Sequence, residues 1–202
     1  MGLSKIEICN HALLKVGADT IASLDTSQSD DSGVITSAKL CKIFFSQALE
    51  ETLRMYSWNS CTKRASLVQL TEKPAFKFAN SFQLPTDFVR LINAYYDVNA
   101  REDRTEWALE GNKILCDSDT LFIKYVARPD DVSTLDALST QALIGKLAIK
   151  LAVPLQLDTS MQNNIIQELE QVIMPQARSI DTIENKSWDL EESDWILSRN
   201  NR

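Results

Sequence analysis

The sequence is poor in the residues on which most recognisable active sites depend. It contains one histidine, five glycines and five prolines among 202 residues. It has neither of the glycine-rich loops that cradle phosphate groups, GxxxxGK[ST] and GxGxxG. No stretch approaches the roughly 18 consecutive apolar residues of a transmembrane helix, so no membrane partner is expected. The scarcity of glycine and proline also excludes long low-complexity linkers.

Metal and nucleophile signatures are missing as well. Cys9, Cys41, Cys61 and Cys116 lie far apart without a CxxC pair, and His11 is the sole imidazole. This spacing does not fit a zinc site, so we expect no metal and no cofactor. A Ser-His-Asp or Cys-His centre would have to use His11, and no nucleophile motif accompanies it. We therefore expect no catalytic residues and no enzymatic activity. Free thiols fit assembly in a reducing cytoplasm.

The charge is acidic and unevenly distributed. The net charge is −7; residues 1–101 carry 11 basic and 10 acidic side chains, whereas residues 102–202 carry 10 and 18. Because Lys and Arg supply most of the affinity for phosphate backbones, an acidic chain is a poor general binder of nucleic acid. The carboxyl half in particular is not expected to grip DNA.

Helical periodicity dominates the first 60 residues. Ser4 and Glu7 have the spacing of a capping box, and Gly17 supplies a stop for the first helix. A longer second helix is predicted to run to about Tyr56 with a broad apolar face, which needs partner helices from its own chain or from a neighbour. We expect this face to pack between protomers through Val34, Ala38, Phe45, Leu49 and Tyr56.

The period then changes to that of strands. Residues 65–70, 88–96 and 121–126 have strand character, and residues 107–116 predict a hairpin that turns at Gly111 and Asn112. A row of alternate apolar residues also suits one buried sheet face. That row consists of Phe76, Phe78, Phe82 and Leu84.

Helices return after this region and lead into an acidic tail. Residues 135–153 predict one helix, and a last long helix follows, which Pro175 should kink or divide. The predicted fold class is α+β: mainly a helical bundle of about four helices with an inserted small antiparallel β domain and an acidic C-terminal tail. The expected divisions are residues 1–60 and 132–182 for the bundle, 61–131 for the β region and 183–202 for the tail.

The tail carries two tryptophans seven residues apart, Trp188 and Trp195, followed by Ile196 and Leu197. Tryptophans at that spacing share one face of a helix. They either pack back on their own domain or anchor a partner, as aromatic hot spots do. These four residues are our candidate partner-binding residues.

Several sequence blocks also occur in a distinctive order. Residues 10–17 (NHALLKVG) and 21–24 (IASL) resemble the blocks NxALxx[LI]G and IxSL, residues 58–67 are similar to WNFAxxRxxL, and residues 82–87 to YxLPxD. Further blocks occur at residues 123–125, 142–154 and 177–181. Together they resemble the podophage tail tubular protein A family, the head-to-tail adaptors. Ser60 and Cys61 depart from the family pattern, and nothing beyond Asp181 matches it.

The resemblance implies a structural virion protein without catalytic activity. Members of that family form a dodecameric ring between the portal protein and the tail nozzle protein, with a helical part in the ring and a β part toward the next tail protein. DNA passes through the centre without sequence-specific binding. The protein would then be assembled in the host cytoplasm and located in the virion at the head–tail junction, with the tail segment docking on the portal.

Other functions stay open at this point. A head-completion protein of a long-tailed phage would have similar helices but would not need so large a β insertion. An enzyme with an unrecognised site would have a pocket that contains His11 and two or more carboxylates. A generic bacterial scaffolding domain is a further possibility.

Overall fold

A computed structural model describes residues 2–25, 37–97, 106–155 and 159–184. These residues form five helices and seven strands. The helices are α1 (Lys5–Lys15), α2 (Ser37–Met55), α3 (Ala137–Ala152), α4 (Thr159–Glu168) and α5 (Met174–Glu184). The strands are β1 (Thr62–Ser66), β2 (Val68–Gln69), β3 (Asn80–Gln83), β4 (Phe88–Tyr95), β5 (Trp107–Glu110), β6 (Lys113–Cys116) and β7 (Phe122–Ala127).

The first helix begins as the sequence predicts. The Ser4 hydroxyl accepts the backbone N–H of Glu7, and the Glu7 carboxylate accepts the Ser4 N–H at 2.7 Å, which confirms the capping box. The hydrogen bonds from Ser4 hold the pKa of Glu7 below its usual value. The helix ends at Lys15, and Gly17, two residues later, has a φ of 71° in the left-handed region, as the predicted stop requires.

Helix α3 is the centre of the helical layer. It is rich in Ala and Leu and is buried on nearly every side, because α1, α2 and the α4–α5 segment all pack against it. Gly145 permits one of these approaches, since a Cβ there would lie 3.3 Å from Cδ1 of Leu169. Side chains of α1, α2 and α3 are buried together in one apolar core.

The predicted break at Pro175 takes the form of a π-helical segment, Leu169–Ile173, between α4 and α5. Met174 N–H bonds to the carbonyl of Leu169, five residues back. Proline lacks an N–H, and its ring clashes with the carbonyl four residues before it. A wider turn at this point relieves that clash without ending the helix.

The strands form two antiparallel sheets. Sheet A has the order β1-β7-β4, and sheet B has the order β2-β3-β6-β5. The predicted hairpin is confirmed: β5 pairs with β6, and Gly111 in the turn has a φ of 59°. The strand expected over residues 65–70 is divided into β1 and β2, because the chain crosses from sheet A to sheet B at Leu67.

Sheet A is the middle of three layers. On one face Val89 and Val126 belong to the same core as the helices, and on the other Ile123 and Tyr125 share a second core with Phe82 of sheet B. Alternation of side chains along β4 and β7 produces these two faces. The β region is therefore packed directly on the helical layer.

The expected fold class is wrong. The chain is not a helical bundle that carries a small β insertion but a mixed α+β fold in which two antiparallel sheets, with seven strands among the described residues, form two of the three layers. Periodicity identified most of the segments. It did not show that sheet A supplies side chains to the helical core, since that depends on contacts between residues distant in sequence.

The row of phenylalanines is a second correction. Only β3 forms a strand in that region, and residues 70–79 make a loop in which Phe78 is buried whereas Phe76 is 83% exposed. Pro74 and the positive φ of Lys77, 70°, interrupt the extended backbone that one continuous strand requires.

Candidate interaction surfaces

Five of the residues proposed for binding lie outside the described part of the chain. They are Val34, Trp188, Trp195, Ile196 and Leu197. Their roles, packing between protomers for Val34 and contact with a partner for the tail residues, stay predictions.

The other residues proposed for packing between protomers lie on or just after α2. Phe45 and Leu49 are only 3% and 4% exposed, because α2 packs them into the core that it shares with α3. The chain itself covers these two side chains, so they are not available to a neighbouring copy. Ala38 and Tyr56 are partly exposed, and for them contact with a second protomer stays a prediction.

His11 is exposed on α1 beside a cavity of about 490 Å³. The cavity is also lined by Asp136, Thr140 and Gln141. An enzyme site built on His11 was expected to contain two or more carboxylates. Asp136 is the one carboxylate that lines this cavity. Elsewhere in the described ranges, no group of three or more His, Cys, Asp or Glu side chains is arranged to hold a metal ion.

The four cysteines are buried free thiols. The interaction of the Cys9 thiol of α1 with the Cys41 thiol of α2, together with burial, raises the pKa of Cys9, and the same interaction lowers the pKa of Cys41. Burial likewise raises the pKa of Cys61 and Cys116. Buried thiols whose pKa is raised, as those of Cys9, Cys61 and Cys116 are, are poor nucleophiles and pack as small apolar groups.

An apolar stripe is exposed along the last helix. Val172 of the π segment and Ile180 and Ile183 of α5 are all solvent-exposed, and Ile183 is 77% exposed. Their spacings of eight and three residues place them on one side of a helix. No other residue that the structure describes covers this stripe, which consists of Val172, Ile180 and Ile183.

The loop of residues 70–79 projects a single aromatic side chain. Phe78 N–H bonds to the Phe76 carbonyl at 2.9 Å around Lys77, whose φ is 70°. This is a γ-turn of the strained kind, and such backbone conformations cost about 1–3 kcal/mol. The turn directs Phe78 onto sheet B and leaves Phe76 in solvent.

The ends of this loop are fixed to the sheet. Leu70 N–H bonds to the Ser81 carbonyl at 2.8 Å, and Ala79 N–H bonds to the Asp117 carboxylate at 2.9 Å. Lys113 pairs with Glu72 across a cavity of about 440 Å³ beneath the loop. The loop therefore has defined attachments on both sides of Phe76.

An open groove of about 660 Å³ lies where α2 meets the start of β4. Its apolar part includes Ile43, which is 56% exposed, with Phe88 and Val89. The ionic side chains that line it are three carboxylates and one cation. These are Glu50, Glu51, Asp87 and Arg128.

Among these carboxylates, Asp87 accepts hydrogen bonds from two side chains. It accepts hydrogen bonds from Lys63 Nζ at 2.7 Å and from the Tyr125 hydroxyl at 3.0 Å. Burial favours a higher pKa for Asp87, but these bonds outweigh it and the pKa is lowered. Burial and the bond to Asp87 raise the pKa of Tyr125 to about 12.

A like-charge pair lies across strands β1 and β7. Arg64 of β1 is directly opposite Lys124 of β7. On the other side of β7, Asn93 of β4 is opposite the same lysine. Neither cation has a carboxylate partner among the residues that the structure describes. Like charges directly opposite each other destabilise an antiparallel pair.

Replacing Lys124 by glutamate should therefore stabilise the protein. We expect Lys124→Glu to raise the free energy of unfolding by about 0.5–1 kcal/mol, because it converts repulsion with Arg64 into attraction. Urea unfolding followed by circular dichroism measures the change. Lys124→Gln removes only the repulsion and should fall between the two, whereas a Lys124→Glu protein less stable than wild type would contradict the register.

Within the described residues, no helix is both long and apolar enough to cross a membrane. No protein-family model matches the chain, and no curated protein matches it either.

Phe76 was not predicted as an exposed residue, since its spacing placed this side chain on a buried sheet face. The usable signal was local: Pro74 precedes it, and Lys73 and Lys77 flank it. A proline and two cations around one phenylalanine are more typical of a loop tip than of a buried strand.

Proposed function

We propose that the protein is a structural virion component, a head-to-tail adaptor whose copies form a ring between the portal protein and the tail nozzle protein. DNA passes through the centre of this ring without sequence-specific binding. The protein has no catalytic role in this proposal, and its place is the head–tail junction of the virion. The order of the sequence blocks from residue 10 to residue 181 motivates it.

The observation that carries the proposal is the exposed apolar stripe of Val172, Ile180 and Ile183. Three β-branched side chains on one helix face favour association. Each Å² of apolar surface that is removed from water stabilises the complex by about 25 cal/mol. A subunit that works by fitting against other subunits needs such a face. The stripe also leads directly to the tail that holds Trp188 and Trp195.

The extent of the β part supports an adaptor over a head-completion protein. Two sheets form two of the three layers, and the loops and edge strands of sheet B lie on the side away from the helices. An adaptor needs one surface for the portal and another for the nozzle. A helical layer joined to a β layer offers two surfaces of different character.

Removal of the tail tests the contact with the portal. A chain ending at Asp181 should keep its fold, because the core residues precede that point, but should lose binding to the portal protein of the same virus. Sedimentation velocity of the mixture measures binding, and thermal unfolding checks the fold. The truncation also removes Ile183. The full-length Trp188→Ala, Trp195→Ala variant keeps Ile183 and therefore tests the two tryptophans alone. Unchanged binding by both proteins would refute the portal role of the tail.

A further inference from the structure

The two sheets are unequal, so that one strand of sheet B has no described strand of sheet A opposite it. Leu67 alone separates β1 from β2, and these two strands therefore mark the same end of sheets A and B. Counted from that end, sheet A has three strands and finishes at β4, whereas sheet B has four and finishes at β5. Strand β5 thus extends past the edge of sheet A.

The inner face of β5 is apolar and exposed. Trp107 is opposite Cys116 of β6, and Leu109 is opposite Ile114. Residues opposite each other project from the same face of a sheet. Cys116 and Ile114 are 0% exposed in the core between the sheets, but Trp107 is 38% exposed and Leu109 is 45% exposed. Sheet A therefore covers this face at β6 and leaves it open at β5.

Strand β4 has a free edge beside this overhang. It is eight residues long, and β7 is its one neighbour among the described strands. The outer edge of such a strand is a row of unpaired backbone N–H and C=O groups, with which an extended segment can pair. A strand added there would be the fourth of sheet A, and its inner side chains would cover Trp107 and Leu109.

The opposite face of sheet A is positively charged near this edge. Arg90 of β4 is opposite Val126, whose side chain is in the helical core, and Lys124 lies two residues before Val126 on the same face. Neither cation has a carboxylate partner among the described residues. The Nε of Arg90 is also buried without a hydrogen-bond partner there. An added strand should therefore be apolar on its inner face and acidic on its outer face.

The tail contains a segment with this alternation. Residues 188–191 read Trp-Asp-Leu-Glu, in which apolar and acidic side chains alternate. A period of two is typical of a strand with one apolar face and one charged face. Strand β5 itself has a closely similar sequence, Trp-Ala-Leu-Glu. The segment lies outside the part of the chain that the structure describes.

The segment that pairs with β4 comes from a second copy. Residues 185–187 separate Glu184, the end of α5, from Trp188, and four residue steps span at most about 14 Å. Helix α5 packs on α3, α3 packs on α2, and α2 packs on β4. Axes of packed helices are about 8–10 Å apart, so two such spacings and the further step to the sheet exceed the reach within one chain.

We infer that residues 188–191 of one copy add to β4 of the next copy as a fourth strand of sheet A. Their two apolar side chains then cover Trp107 and Leu109, and their two carboxylates lie on the side of Arg90. A contact between two different patches is heterologous, and repeated around an axis it closes a ring. The part of this contact in a ring rests on the proposed function. Residues 195–197 stay the candidates for contact with the portal.

Peptide binding tests the inference without the portal. The receptor is the full-length Trp188→Asp, Leu190→Asp protein, whose own tail no longer fits the site, and the probe is a fluorescent peptide of residues 185–193. In the matched control peptide, Trp188 changes places with Asp189 and Leu190 with Glu191. The control keeps the composition but moves the apolar side chains to the other face of the strand. We expect saturable binding of the natural peptide, measured by fluorescence anisotropy, and binding of the control that is at least about tenfold weaker.

Hydrogen exchange and a receptor substitution locate the bound peptide. Pairing should slow the exchange of backbone N–H groups in residues 88–95. Adding Leu109→Asp to the receptor should weaken binding at least about tenfold, because the apolar cover of the peptide is lost. The matched control is Val68→Asp, which changes a 74% exposed residue at the opposite end of sheet B and should leave binding unchanged.

The outcomes separate this inference from the proposed function. No saturable binding, equal binding of the two peptides, or binding that leaves exchange in residues 88–95 unchanged overturns the strand addition and leaves the adaptor function standing. If the peptide binds with all the expected effects but the wild-type protein forms no ring on the portal, the adaptor function is overturned and the strand addition stands as a contact between copies.

Discussion

Replacing Trp58 by alanine is expected to lower the free energy of unfolding by about 3–5 kcal/mol. Trp58 is 1% exposed, and it lies in the core where the helical layer meets Val89 and Val126 of sheet A. Its indole N–H donates to the Thr52 carbonyl at 2.8 Å, near the C-terminal end of α2. The substitution removes the largest side chain that joins the two layers.

Urea unfolding followed by circular dichroism measures this loss. Single domains have a total stability of about 5–15 kcal/mol, so the variant should be partly unfolded at moderate temperature. Trp58→Phe keeps most of the buried area but lacks the indole donor, and it should lose only about 1–2 kcal/mol. A loss below about 1 kcal/mol for Trp58→Ala would show that the layers do not depend on this residue.

Two aspartates in the exposed stripe of α5 should abolish assembly without affecting the fold. Burying a branched aliphatic side chain contributes about 1.5–3 kcal/mol. Removing two such contributions from an interface corresponds to a loss of at least about 100-fold in affinity. We therefore expect Ile180→Asp, Ile183→Asp protein to show no detectable complex with the portal, measured by sedimentation velocity at micromolar concentration.

The control for this prediction changes an equally apolar and exposed residue elsewhere. Val153 is exposed after α3, and Val153→Asp should assemble like wild type. Thermal unfolding of the wild-type protein and both variants should agree closely, since none of the substituted side chains belongs to the core. Normal assembly of the double variant would mean that the α5 stripe serves another purpose.

Local signals in the sequence predicted the local features of the fold. The capping box at Ser4 and Glu7, the turn at Gly111 and the interruption near Pro175 each depend on a few neighbouring residues, and each is present. These features follow from backbone geometry and capping, which a sequence specifies directly.

Features that depend on long-range contacts were predicted poorly. Phe45 and Leu49 were expected to face a neighbour, but α3, about 90 residues later in the chain, covers them. The regular spacing of Phe76, Phe78 and Phe82 suggested one strand, yet a γ-turn separates them into different surroundings. Periodicity identifies an apolar face without identifying what covers it.

We propose that this protein works by binding a portal and copies of itself. Negative-stain microscopy of the wild-type protein mixed with the portal of the same virus is the direct test. We expect an added ring of density, coaxial with the portal, in the mixture and not in portal alone. Portal particles that look the same with and without the protein would contradict it.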